Sequence, residues 1–310
     1  MDKLVCVVGP TASGKSDLAV ELAMKNGEVI SCDSMQVYRG MDVGTAKPTE
    51  AEMRGVRHHM LSVADPAEDY SVSRYVEQAD PVLQEVLRRG KLAVIAGGTG
   101  LYMDALIAGR DFAPHPGGEL RRELERQFDA RGAEAMLAEL RAFDPDSAAR
   151  LHPSDRKRIV RAIEIYRETG VTMTEHDRAT RLVPPKYEPV WIGLWYSDRA
   201  ELYAKIDRRV DLMLENGLVD EVKRLLASVP ESATAMQAIG YKEIAQYLRG
   251  ECTLDEAVDA IKQGSRRYAK RQLTWLRRNE KIFWIDRSKT DFSSAVSAAR
   301  QRLAEFDIET

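Results

Sequence analysis

Short apolar runs alternate with longer amphipathic stretches through the first hundred residues. Leu4-Val5-Cys6-Val7-Val8, Glu28-Val29-Ile30-Ser31-Cys32 and Lys91-Leu92-Ala93-Val94-Ile95-Ala96 are brief and largely apolar on both faces. That pattern predicts strands buried on both sides, as in a parallel sheet covered by helices. Between them, residues 15–24 and 71–89 carry helical spacing, the second begun by a Ser71 cap and marked by Pro81 as a point of kinking. Further strands are read at 189–196 and 281–286, and helices at 198–215 and 261–278, with a turn entering a helix at 236–243. From residue 119 to about 181 the alternation stops and the chain becomes charged and helical. Phe112-Ala113-Pro114-His115-Pro116-Gly117-Gly118 reads as a linker, and Pro184-Pro185 as the return.

The first strand runs into Gly9-Pro10-Thr11-Ala12-Ser13-Gly14-Lys15-Ser16. A GxxxxGK[ST] loop between a strand and a helix is a phosphate cradle. Its backbone N–H groups and the positive end of the helix face phosphate oxygens. Lys15 supplies a point charge and Ser16 a hydroxyl for Mg²⁺.

Asp33 follows the second strand and so falls at a carboxyl end beside this loop. The alternative readings are a helix cap or an acid behind Mg²⁺. Residues 40–48 form a long Gly, Asp, Thr and Pro loop suited to holding substrate. The strand at 91–96 ends in Gly97-Gly98-Thr99-Gly100, either a tight turn or a place where backbone approaches a ligand. An ATPase often carries an acid there to help hold Mg²⁺, so this ending weakens that reading. His58-His59 would point opposite ways on a strand and make a poor metal pair; a structural role is favoured. Arg208-Arg209 either reach the phosphate site or pair with Asp207 and Asp211 on the surface.

Two stretches are basic. In residues 155–166, Ile159, Ala162, Ile163 and Tyr166 share one helical face and basic residues cover the other. In residues 261–278, Arg266, Arg267, Lys270, Arg271, Arg277 and Arg278 interleave with Tyr268 and Trp275. Both suit a nucleic-acid backbone or a solvated face. The whole chain, at −3 over 310 residues, is not basic, so a nucleic acid must be held by local patches. Cys6, Cys32 and Cys252 form no CxxC pair, which fits a reducing compartment and no structural zinc. No run of about 18 apolar residues is present, so no membrane span is expected. The first strand begins at once and leaves no room for a signal peptide, so a cytoplasmic location is expected.

Residues 9–16 (GPTASGKS), 31–38 (SCDSMQVY), 40–48 (GMDVGTAKP), His58-His59, 97–102 (GGTGLY), 209–213 (RVDLM), 238–242 (AIGYK) and 267–276 (RYAKRQLTWL) together resemble one family, the tRNA dimethylallyltransferases. Without the zinc-finger extension of eukaryotic relatives, the chain is similar to bacterial forms. The resemblance implies a P-loop NTPase-like α/β fold: a parallel sheet core flanked by helices (1–114 and 184–310) with an all-helical insertion domain (115–183) that contacts the anticodon stem-loop. It implies transfer of a dimethylallyl group from dimethylallyl diphosphate to N6 of adenosine 37, in tRNAs reading codons that begin with U. Gly9, Pro10, Thr11, Ala12, Ser13, Gly14, Lys15 and Ser16 would hold the diphosphate, with Ser16 on Mg²⁺. Asp33, Thr11 and Arg209 would be the catalytic residues, Asp33 as base. tRNA contacts are implied at Asp33, Ser34, Met35, Gln36, Thr99, Arg121, Lys157, Arg158, Ile159, Val160, Arg161, Gln237, Ala238, Ile239, Gly240, Tyr241 and Lys242. A monomer is expected. The competing readings are a P-loop kinase or NTPase acting on a small molecule, and a nucleotide-dependent RNA-binding regulator.

Overall fold

The protein is seen in a computed structural model that describes residues 4–109, 118–182 and 184–310. β1 (Leu4–Val8) leads through the phosphate loop into α1 (Lys15–Ala23), followed by β2 (Gly27–Ser31), α2 (Glu50–Met53), β3 (His58–His59), α3 (Val72–Arg88), β4 (Leu92–Gly97) and α4 (Gly100–Ala108). Five helices come next: α5 (Glu119–Arg131), α6 (Ala133–Phe143), α7 (Pro145–Arg150), α8 (Arg156–Thr169) and α9 (Met173–Leu182). The chain then returns to strand with β5 (Val190–Trp195), α10 (Arg199–Glu215) and α11 (Leu218–Leu226). It ends with α12 (Tyr241–Leu248), α13 (Leu254–Leu276), β6 (Phe283–Asp286) and α14 (Phe292–Ala304).

All pairings in the sheet are parallel, in the order β3-β2-β4-β1-β5-β6. Successive side chains on a strand point to opposite faces. Leu4, Cys6 and Val8 therefore enter one core with Ile30, Ile95, Tyr75 and Tyr241, while Val5 and Val7 enter the other with Leu18, Leu22, Val94 and Leu303. The continuous apolar runs in the sequence follow from this double burial. Each large aliphatic side chain so buried contributes roughly 1.5–3 kcal/mol relative to exposure. The parallel arrangement also puts the loops after β1, β2, β4 and β5 at one edge of the sheet, where ligand chemistry gathers in such folds.

The chain falls into two compact units, Met1–Ile107 with Tyr187–Thr310, and Ala108–Lys186. The second has a core of its own built from Leu124, Met136, Leu140, Ile159 and Ile163. Its buried Glu164 is held by Arg121 at 3.0 Å and Arg161 at 2.7 Å. The linker expected at 112–118 lies, Gly118 apart, outside the described residues.

Three local readings are sharpened. α3 runs on as one helix with Pro81 inside it. α13 begins at Leu254 rather than near Ile261, because Thr253 and Glu256 form a reciprocal capping box. β3 has only two residues, and the chain turns at once through left-handed Met60 and Ser62. No helix among the described residues is long and apolar enough to cross a membrane.

Candidate active site

The phosphate loop leaves the central strand and enters α1 at Gly14. Beside it lies a cavity of about 750 Å³. The loop and the start of α1 form one wall, the segment from Asp42 to Thr49 another, and α10 a third through Lys205, Arg209 and Met213. Five cationic side chains line it (Lys15, Lys47, Lys205, Arg209, Arg287) against three carboxylates (Asp17, Asp42, Glu52). An anion is the ligand that such a wall favours.

Lys15 Nζ lies 3.4 Å from the Pro10 carbonyl. Burial and the neighbouring Arg209 guanidinium lower its pKa to about 8, and Asp33 opposes the shift. Arg209 Nη1 donates to Thr11 Oγ1 at 3.1 Å, so the reading in which this arginine reaches the phosphate site holds. Burial lowers the Arg209 pKa, opposed by Asp33, Glu52 and Asp17. Arg266, not Arg209, pairs with Asp207, at 2.7 Å. Ser13 Oγ is buried without a hydrogen-bond partner among the described residues, which suits a ligand oxygen in the cradle.

Asp33 occupies the turn after β2. Its Oδ1 accepts from the amides of Met35 at 2.9 Å and Gln36 at 3.3 Å. Asp33 thus caps a turn rather than a helix, and its second oxygen keeps lone pairs of its own. Asp33 is not part of the cavity wall but is close enough for its charge to act on both Lys15 and Arg209. Thr99, at the glycine-rich end of β4, accepts from the Ser34 amide at 3.0 Å. Tyr268 of α13 bonds to Thr99, and its phenol is pushed up to about 12 by burial and by Asp33.

Gln272, one turn further along α13, was not singled out by its sequence. It is buried, accepts from the Thr11 amide at 2.9 Å and donates to the Gly98 carbonyl at 3.0 Å. A Cβ at Gly98 would lie 2.0 Å from the Gln272 amide nitrogen, so the glycine is there for close approach. The signal was present in the spacing: Tyr268, Gln272 and Trp275 recur at helical intervals on one face.

The residues expected to meet tRNA divide sharply. Lys157 and Arg158 are exposed, the Arg158 side chain 75% so. Arg121 and Arg161 are tied to Glu164. Ile159 and Val160 are buried in the helical unit's core, so their side chains are not contact residues: the α8 turn that exposes Arg158 turns them inward. In the 237–242 segment only Gln237 and Lys242 are exposed. Ala238, Gly240 and Tyr241 are buried, and Ile239 is half-buried against the core, so this stretch presents few side chains to a partner. The Gln36 side chain accepts from Ser31 and donates to the carbonyls of Thr45 and Ala46.

His58 and His59 belong to the frame. His59 bonds to the buried Glu28 carboxylate at 2.7 Å. Arg89, then Lys91 and His59, hold that carboxyl well below the usual range. Among the described residues no cluster of three or more acidic, histidine or cysteine side chains is arranged to hold a metal. Ser16, at the first turn of α1, supplies the hydroxyl that fits a cation shared with a ligand's phosphates, since Mg²⁺ keeps waters and takes few protein ligands.

Residues 36–279 match the IPP transferase family, and residues 2–69 the isopentenyl transferase family. The chain is 46% identical over 294 residues to the tRNA dimethylallyltransferase of Acetivibrio thermocellus, covering 94% of each. A full-length tRNA isopentenylpyrophosphate transferase from Bacillus halodurans is 43% identical, with a TM-score of 0.74, over 98% of this chain and 96% of that one. A eukaryotic dimethylallyltransferase solved acting on tRNA gives a TM-score of 0.83 at 28% identity, over 99% of this chain and 80% of its own.

Proposed function

The chain belongs to the tRNA dimethylallyltransferase family, a family of prenyl-transferring enzymes, and from this we propose that its cavity takes the diphosphate of dimethylallyl diphosphate. The acceptor is N6 of adenosine 37 in tRNAs that read codons beginning with U. The single observation that carries the donor site is the cationic cavity on the phosphate loop, with Arg209 on its wall bonded to Thr11 of the loop.

In this reading the bond between the allylic carbon and the diphosphate oxygen breaks as the bond from N6 to that carbon forms. The negative charge that develops on the leaving diphosphate is met by the loop amides, Lys15 and Arg209. Mg²⁺, held by Ser16 and the diphosphate, would add Lewis-acid stabilisation there. The adenine amine is a weak nucleophile because its lone pair is delocalised. Asp33, whose Oδ1 is fixed by two backbone amides, takes the N6 proton on its other oxygen. The adenine reaches it extruded from the anticodon-loop stack. Lys157 and Arg158 on one unit and Gln237 and Lys242 on the other are the exposed side chains assigned to tRNA. The enzyme works as a monomer in the cytoplasm.

The test is incubation of purified protein with labelled dimethylallyl diphosphate, Mg²⁺ and unmodified tRNA. Label on adenosine 37 is the expected result. ATP turnover without label on the tRNA would overturn the proposal in favour of a P-loop kinase or NTPase.

A further inference from the structure

The segment from Asp42 to Lys47 walls the donor cavity, yet what fixes it lies behind it. Glu221 of α11 is 2% exposed, and its carboxylate is ringed by four donors. Oε2 accepts from the amides of Asp42 at 2.9 Å and Val43 at 2.8 Å. Oε1 accepts from the amide of Gly44 at 3.0 Å and from the Tyr241 hydroxyl at 2.6 Å. Three consecutive backbone N–H groups around one anion form a nest. Burial, then the adjacent Glu221 charge, keeps the Tyr241 phenol protonated and donating.

The Tyr241 ring is packed directly under Gly44. A Cβ at that glycine would sit 2.6 Å from the ring. The far end of the segment is also held, because Gln36 donates to the carbonyls of Thr45 and Ala46 while its own amide bonds to Asp33. One short loop thus connects the donor cavity with the turn that carries the proposed base.

We infer that Glu221 and Tyr241 are positioning residues for the prenyl donor, setting the Asp42–Lys47 wall against the diphosphate by a buried carboxylate in a backbone nest. This rests on the proposed donor site. Tyr241, first read as a tRNA contact, acts through Glu221 and Gly44.

The test is steady-state transfer with each substrate varied separately, on the full chain. Tyr241→Phe keeps the ring and removes one hydrogen bond to the carboxylate. It should raise the KM for dimethylallyl diphosphate about tenfold, with the KM for tRNA and kcat within about twofold. Gly44→Ala displaces the loop from the other side and should give the same split. A variant that loses only thermal stability, with wild-type KM for the donor, would reduce the pair to a structural role and overturn the inference. A raised KM for tRNA alone would return Tyr241 to the tRNA surface and overturn it as well. Lys15→Ala in the same assay separates the two levels. If it leaves donor kinetics intact, the donor-site reading itself falls. If it abolishes transfer while Tyr241→Phe and Gly44→Ala behave as wild type, only the positioning inference falls.

Discussion

Two loops beside one cavity offer backbone amides to an anion, and they differ in whose anion it is. The amides of Asp42, Val43 and Gly44 close on the chain's own Glu221. The phosphate loop instead sends its Thr11 amide to the neutral Gln272 and keeps Lys15 and Arg209 beside the cavity. A fixed carboxylate makes a rigid wall. A cradle flanked by cations, with a Ser13 hydroxyl unpartnered among the described residues, suits an anion that comes and goes.

The two loops differ most in the charge each depends on. Lys15→Ala should lower transfer about 10³-fold without loss of thermal stability, since it removes charge stabilisation in the transition state and a poorly solvated ammonium. Glu221→Ala should instead cost about 3–5 kcal/mol of stability by stranding the donors that face it, with a raised KM for the donor as its wall loosens. Thermal denaturation of the first and kinetics of both decide the matter; a molten Lys15→Ala protein beside a sound Glu221→Ala protein would dissolve the distinction.

pH sharpens it next. The Lys15 pKa is lowered to about 8, so its ammonium is fully present only below that value. The efficiency of the free enzyme toward the donor should therefore fall as pH rises through about 8. Lys15→Arg, always charged, should lose that limb of the profile. A profile flat across pH 7–9.5 in the unsubstituted enzyme would contradict the assignment, because that range brackets the Lys15 pKa of about 8.

A smaller effect is expected at the neutral bond in the cradle. Gln272→Leu leaves the Thr11 amide and the Gly98 carbonyl unpaired in a buried place and should cost about 2 kcal/mol, with transfer reduced about tenfold. Chemical denaturation and initial rates measure the two. The smallest effect belongs to the exposed face of α8. Arg158→Ala should weaken tRNA binding about threefold and reduce the salt slope by about 1, leaving donor KM unchanged. An unchanged slope would remove Arg158 from the interface.

The sequence made the nearer half of this site legible. A glycine-rich loop between an apolar strand and a helix, and an acid at the next strand's end, are local patterns, and the sheet's parallel order brings them together. The placement of Arg209 was left open by sequence and is settled by its bond to Thr11. Tyr268 and Tyr241 stood out in the sequence only as residues for a nucleic acid, and Gln272 and Glu221 not at all, because each acts on a partner far away in the chain; Gln272 meets Thr11 across 261 positions. The tRNA segments show the opposite case. The apolar face containing Ile159 was visible in the helical period, yet the resemblance assigned the whole run from Lys157 to Arg161. Helical geometry exposes only some members of such a run. Periodicity was the better guide there.

The most direct measurement of the central claim is single-turnover transfer by Asp33→Asn, with wild-type enzyme alongside and labelled donor and unmodified tRNA saturating. Asparagine retains an oxygen for the Met35 and Gln36 amides but cannot take the N6 proton. The chemical step should slow by about 10²–10⁴ while affinity for inorganic diphosphate stays unchanged. Transfer at the wild-type rate would show that the proton goes elsewhere and that Asp33 is a turn residue alone.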